Sequence, residues 1–117
     1  MRIITREELK EQMEQGDDFV LVDVLSEESY QNEHIAGAIN IPVRSIVKQA
    51  HRMLPNKLQE IVCYCTNFSC ATSQVACELL EDMGYTKERR YQGGLEDWKD
   101  AHLPMESGRE MAGAESR

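Results

Sequence analysis

The chain has 117 residues and carries 21 acidic against 13 basic side chains, a formal net charge of −8. Such a length supports one domain with a real core but not two independent ones. The summed negative field repels phosphate backbones and anionic headgroups, so neither nucleic acid nor a membrane surface is an expected partner.

No apolar run approaches the ~18 residues that span a bilayer, and MRIITREELK at the start lacks the apolar core of a signal peptide, so a cytoplasmic address is expected. There the four cysteines, Cys63, Cys65, Cys70 and Cys77, should be reduced thiols. Thr5 to Glu8 has the form of a capping box, which predicts a first helix running to about Gly16. DDFVLVDV is a short apolar run rich in valine, suited to a strand covered on both faces, with Asp23 near its end. Ser26 then caps a short helix, Gly37 makes a turn, and AINIP is extended up to Pro42. VRSIVKQAHRML spaces Val43, Ile46, Val47, Ala50, Met53 and Leu54 as a helix that Pro55 stops. EIVCYC repeats the buried-strand signature. ATSQVACELLEDMG follows as a helix with Val75, Ala76, Leu79, Leu80 and Met83 on its stripe, ending at Gly84. RRYQGG reads as a last strand entering a glycine turn, and LEDWKDAHLP as a short helix with Trp98 as a core plug. The stretch from Glu106 has no period and reads as a frayed tail, so the domain is drawn as 1–107 with a polar, flexible tail at 108–117. Strands alternating with helices predict an α/β fold with a mostly parallel sheet and helices on both faces.

YCTNFSCATS is the segment that carries chemistry. Cys65 stands where a buried strand ends and a loop leads into a helix. Such a junction points several backbone N–H groups at one centre and binds anions. The amides of residues 66–71 and the positive end of the helix dipole would favour thiolate at Cys65. Thr66, Asn67, Ser69 and Thr72 add side-chain donors, and Phe68 lies at the rim. The expected product is a nucleophilic thiolate and its covalent anion. Cys63 and Cys77 read as packing, Cys77 off its helix's main stripe. His51 and His102 carry no motif. The four cysteines do not have the spacing of a zinc ribbon or finger, so no metal is expected.

Three segments in order resemble the rhodanese family of sulfurtransferases over residues 3–107. LVDV with SEESYQNEHIAGAINIP resembles the segment that holds a strand-ending aspartate and a His-Ile pair, here Asp23, His34 and Ile35. IVCYC and the loop from Cys65 to Cys70 resemble the active-site loop. YQGGLEDW resembles the closing Gly93, Gly94 and Trp98. The resemblance implies a rhodanese-like three-layer α/β/α fold without cofactor. It also implies a double displacement in which Cys65 takes a sulfur atom from a donor such as thiosulfate, holds it as a persulfide, and passes it to cyanide or a thiol. The loop, Thr66, Asn67, Phe68, Ser69, Cys70 and Ala71, would bind the anion, with Asp23 and His34 in support.

The sequence departs from that pattern in three places. Leu25 stands where the family often has arginine, which removes one partner of Asp23. CTNFSC has neither glycine nor a basic residue, which matches a neutral or protein-borne persulfide better than a small dianion such as thiosulfate. Cys70 adds a second thiol that could resolve a Cys65 persulfide as a disulfide. A non-catalytic interaction module and a Cys65/Cys70 thiol reductase of arsenate type stay open, and oligomeric state is not readable. A phosphatase of related fold would need arginine at Ala71.

Overall fold

A computed structural model describes residues 2–108. Five parallel strands form the central sheet in the order β1 (Arg2–Ile4), β6 (Glu88–Tyr91), β5 (Ile61–Tyr64), β2 (Val20–Asp23) and β4 (Ile39–Asn40). A second, antiparallel pair joins β3 (His34–Ile35) to β7 (Met105–Glu106). The helices are α1 (Arg6–Glu14), α2 (Glu27–Asn32), α3 (Ile46–Met53), α4 (Thr72–Asp82) and α5 (Gly94–Asp100), with a 3₁₀ turn at Val43–Ser45 leading into α3.

The alternation of side chains along the strands divides the core into two layers. Ile61, Cys63 and Cys65 of β5 and its end face one layer with Val22, Val24, Ile46, Ala50, Ala76, Cys77 and Leu80, so α3 and α4 cover that face. Val62 and Tyr64 face the other with Leu9, Leu21, Tyr30, Leu95 and Trp98, under α1, α2 and α5. The three-layer α/β/α expectation therefore holds. Thr5 and Glu8 form the expected capping box. Trp98 is buried and its indole N–H donates to the Pro104 carbonyl at 2.9 Å.

Some local expectations are corrected. Residues 2–4 form a strand, because β6 offers its outer edge for pairing in register Arg2 to Arg89. On α4 the buried stripe is Ser73, Ala76, Cys77 and Leu80, while Val75 is exposed. Cys77 therefore lies on the stripe, the helix having turned to bring Ser73 over the end of β5. The frayed tail does not begin at Glu106: Glu106 pairs with His34 in β7, and the Gly108 amide donates to the Gln31 carbonyl at 2.6 Å. The rest of the predicted tail, 109–117, lies outside the described residues. Among the described residues no helix is long and apolar enough to cross a membrane.

A buried polar chain ties β2, β5 and β3 together. Tyr64 O–H donates to Asp23 Oδ2 at 2.7 Å, and the Ile35 amide donates to the same Tyr64 oxygen at 3.0 Å. Tyr64→Phe removes both bonds and leaves a buried carboxyl short of a partner. We expect urea denaturation to show a loss of about 1–3 kcal/mol, the usual cost of orphaning a buried polar group.

Candidate functional site

Cys65 follows the last residue of β5 at the carboxyl end of the parallel sheet, next to the start of α4, and is almost wholly buried. The loop 65–71 is held from outside by α5. The amides of Leu95 and Glu96 donate to the carbonyls of Cys65 and Thr66, both at 2.9 Å. That approach requires glycine at position 94. Gly94 has φ +70°, and a Cβ there would stand 2.5 Å from the Cys65 carbonyl oxygen. Within the loop, Asn67 makes the turn. Its Oδ1 accepts from the Ser69 amide at 3.0 Å, its carbonyl accepts from the Cys70 amide at 3.1 Å, and its Nδ2 donates to Glu96 at 3.2 Å. Phe68 is 62% exposed at the rim of a groove of about 290 Å³ that also touches Ile3, Tyr91, Gly93 and Asp97.

The donors around the sulfurs differ from expectation. The Cys65 sulfur accepts from the amide of Ser73, not from those of 66–71, at 3.4 Å, and lies 3.4 Å from both Ser73 Oγ and the Cys70 carbonyl oxygen. The Thr66 and Thr72 amides and the Thr72 hydroxyl act instead on the thiol of Cys70, as the Cys65 thiol does, and draw it down. The loop's own second thiol thus occupies part of the anion cradle.

Protonation follows from this. Burial, and then the bond to Cys70, push the Cys65 thiol up, while the Ser73 hydroxyl and amide pull the other way. The expectation of a lowered Cys65 is therefore corrected: a strand end sunk in the core loses more hydration than one helix amide restores. At Cys70, which is half-buried, desolvation also raises the thiol, but the bonds from Cys65, Thr72 and the Thr66 amide outweigh it and leave Cys70 at about 7. The two thiols titrate as a pair, with Cys70 drawn down and Cys65 pushed up.

Sequence reasoning missed two residues at this site, Ser73 and Arg90. Arg90 comes from β6, is 6% exposed, and donates from Nε to Ser73 Oγ at 2.9 Å and from a terminal nitrogen to the Cys70 carbonyl at 3.0 Å. The basic group absent from the loop is thus supplied from behind it by a neighbouring strand. The one available signal was a pair of arginines, Arg89 and Arg90, at the start of RRYQGG, the segment read as the last strand.

Asp23 and His34 are not at the sulfurs. Asp23 is buried on the opposite face of the sheet, where its Oδ1 accepts from the Leu25 amide at 2.9 Å. Leu25 therefore serves Asp23 through its backbone where the resemblance led one to look for an arginine side chain. His34 stacks on Tyr30 at 3.7 Å and its Nδ1 lies 2.7 Å from the Tyr30 carbonyl oxygen. Its Nε2 is 3.5 Å from Glu106 Oε1 without hydrogen-bond alignment. Cys63 and Cys77 are buried together in the core, and the bond from Cys77 together with burial holds Cys63 well above the ordinary thiol range. No cluster of metal-ligating side chains occurs among the described residues. A larger cavity, of about 660 Å³, lies at the opposite ends of the strands, among Arg2, Glu60, Glu81 and Lys87, and is lined by no cysteine.

An α/β sheet with a thiol at the head of a helix-entering loop defines a class, and the comparison with known proteins specifies it. The family described as rhodanese-like domain matches residues 5–101, and the chain belongs to that family. It is 38% identical over 76 residues to the thiosulfate sulfurtransferase PspE of Escherichia coli, a match covering 65% of this chain and 70% of that protein. It is 35% identical over 105 residues to the HTH-type transcriptional regulator Rv0324 of Mycobacterium tuberculosis, covering 90% of this chain but only 45% of the regulator. Among solved structures, "rhodanese with anions from E. coli" superposes with a TM-score of 0.62 at 36% identity, over 76% of this chain and 98% of that one.

Two results are expected from this geometry. Gly94→Ala should cost about 1–3 kcal/mol in chemical denaturation, because the added methyl group must displace α5 from the Cys65 carbonyl or strain the backbone. In timed alkylation of the reduced protein near neutral pH, Cys70 should label first, with a rate that rises through about pH 7. Cys65 should follow only at higher pH, since its thiol is both buried and pushed up.

Proposed function

We propose that the protein is a rhodanese-type sulfurtransferase that takes a sulfane sulfur onto Cys65 as a persulfide and passes it to a thiol or to cyanide. The observation that carries the reading is the position of the Cys65 sulfur, at the end of β5 and against the amide and hydroxyl of Ser73. The thiol is activated within the pair. Cys65 S–H gives its proton to the Cys70 thiolate, and the new Cys65 thiolate attacks the outer sulfur of the donor.

Arg90 and Ser73 are positioning residues for that thiolate. A guanidinium only donates, so the bond from Arg90 Nε occupies a lone pair of Ser73 Oγ and leaves the hydroxyl proton for the sulfur. The thiolate then accepts two bonds from one residue, N–H and O–H. The same two donors would spread the charge of the persulfide in a site without bulk water.

The donor we favour is a low-molecular-weight or protein-borne persulfide over thiosulfate. Two of the Arg90 donors are taken by Ser73 and the Cys70 carbonyl, and the chain's net charge of −8 opposes a dianion. The groove beside Phe68 suits the apolar part of such a donor or of an acceptor. The reading needs no cofactor, nucleic acid or membrane, fits a cytoplasmic setting, and uses residues 1–107 as the working domain. The similarity to a transcriptional regulator supports one alternative, in which the same loop reports sulfur to a partner and turns over slowly.

The test is transfer from a persulfide donor to cyanide, followed as thiocyanate. Cys65→Ser should abolish turnover. Ser73→Ala should lower kcat/KM about 100-fold, the usual loss for one donor to a reacting anion, and move the pH–rate midpoint upward, because a donor that pulls the Cys65 thiol down has gone. Full activity in Cys65→Ser would remove the reading.

A further inference from the structure

We propose that Cys70 turns this site into a persulfide reductase: it attacks the sulfur of persulfidated Cys65, closes a Cys65–Cys70 disulfide, and releases the transferred sulfur as sulfide. The step rests on the sulfurtransferase reading, since it consumes the persulfide which that reading forms. It does not follow from that reading, because in sulfur transfer Cys70 takes only a proton and forms no bond to sulfur.

Cys70 is built into the site in a way a tolerated loop residue would not be. Its carbonyl oxygen lies 3.4 Å from the Cys65 sulfur, and its thiol is drawn down by the Cys65 thiol, the Thr72 hydroxyl and the amides of Thr66 and Thr72, the donors that the fold provides for an anion. Its carbonyl is fixed by Arg90 at 3.0 Å and its amide by the Asn67 carbonyl at 3.1 Å, so the residue is held at both ends of its backbone. Cys63 and Cys77 make the contrast: they are free thiols that also influence each other, but both are shut in the dry core. Cys70 is half-buried, so a reductant can reach the pair through it while Cys65 stays covered. A thiol that titrates near 7 is also close to the optimum for attack at neutral pH.

The step balances without an outside oxidant. After donor cleavage the pair holds Cys65–S–S⁻ and Cys70–SH, the latter carrying the proton taken from Cys65. The Cys70 sulfur forms a bond to the Cys65 sulfur, the bond between the Cys65 sulfur and the outer sulfur breaks with its electron pair on the outer atom, and the Cys70 proton leaves with it as HS⁻. The outer sulfane sulfur is reduced to sulfide and the two cysteines are oxidised to the disulfide. An external dithiol reopens the disulfide by exchange, entering at the more exposed Cys70 sulfur. When a strong acceptor such as cyanide is present, it competes with Cys70 for the persulfide, so transfer and reduction share one intermediate.

The experiment uses the full chain, reduced and anaerobic, treated with one equivalent of a low-molecular-weight persulfide and no other thiol. Sulfide is titrated, and the acid-quenched protein is cut with chymotrypsin, which cleaves after Tyr64 and Phe68 and so separates Cys63, Cys65 and Cys70 for mass spectrometry. The native chain should release about one equivalent of sulfide, lose two hydrogens and show a Cys65 peptide cross-linked to the Cys70 peptide, as thiolate attack on a persulfide requires. Cys70→Ser and Cys70→Ala lack the group that takes the Cys65 proton, so they are loaded at raised pH until one sulfur is on Cys65; returned to neutral pH they should release no sulfide and keep that sulfur. A native chain that keeps the sulfur on Cys65 without releasing sulfide overturns the proposal and leaves the transferase reading in place. Sulfur found on Cys70 overturns it in favour of a relay, and equal sulfide release from the Cys70 variants overturns it as well. No added sulfur on either Cys70 variant, with no sulfide from the native chain, would remove both readings.

Discussion

The loop that carries Cys65 depends on one close approach, that of α5 to the end of β5. The first carbonyls of the loop are taken outward by the Leu95 and Glu96 amides, and only a residue without Cβ, in a left-handed conformation, lets the helix come that near. With those carbonyls held, the loop sets the Cys70 backbone beside Cys65, whose sulfur accepts from the Ser73 amide. Gly94 is therefore part of the site although it touches no reacting atom. A helix of ordinary entry geometry would leave the loop to close on itself.

Two buried polar networks meet at β5 and are kept apart by the pleat. Cys65 belongs to the face covered by α3 and α4, where Ser73 and Arg90 complete its surroundings. Tyr64, one residue earlier, belongs to the other face and holds Asp23 and the β3 backbone. Successive side chains of a strand point to opposite sides, so the carboxylate that ends β2 braces the strand ends and does not reach the thiol. His34 is on that far face too, tied to Tyr30 and near Glu106. The chemistry is left to sulfur, hydroxyl, amide and one guanidinium.

The desolvation that raises Cys65 is linked to its chemistry. A covered thiol is a poor spontaneous nucleophile, which limits random oxidation, and it becomes reactive only through a partner that can take its proton. Cys70 fills that place, drawn down by donors that Cys65 does not receive. One residue of the loop thus sets both the reactivity and the fate of the other.

The order of elements, the parallel sheet and the strand-loop-helix junction at Cys65 were readable from periodicity, because apolar runs and stripes report burial directly. Three short segments in register carry the resemblance to the family, and EIVCYC shows in its apolar run the strand that faces both core layers. The one-residue rotation of α4 was not readable, since Val75 and Ser73 exchange places only when the helix meets β5 and Arg90. The edge strand at 2–4 and the β3–β7 pair were hidden for a related reason: each is two or three residues long and exists only through its neighbour's unpaired edge. Sequence by itself determined that a thiol would sit at the carboxyl end of a parallel sheet, because that follows from local pattern. Which groups surround that thiol, Arg90 from another strand, Ser73 in place of the loop amides, and Cys70 in the cradle, was decided by tertiary packing, because hydrogen-bond partners 8 to 20 residues apart are chosen by distance in space.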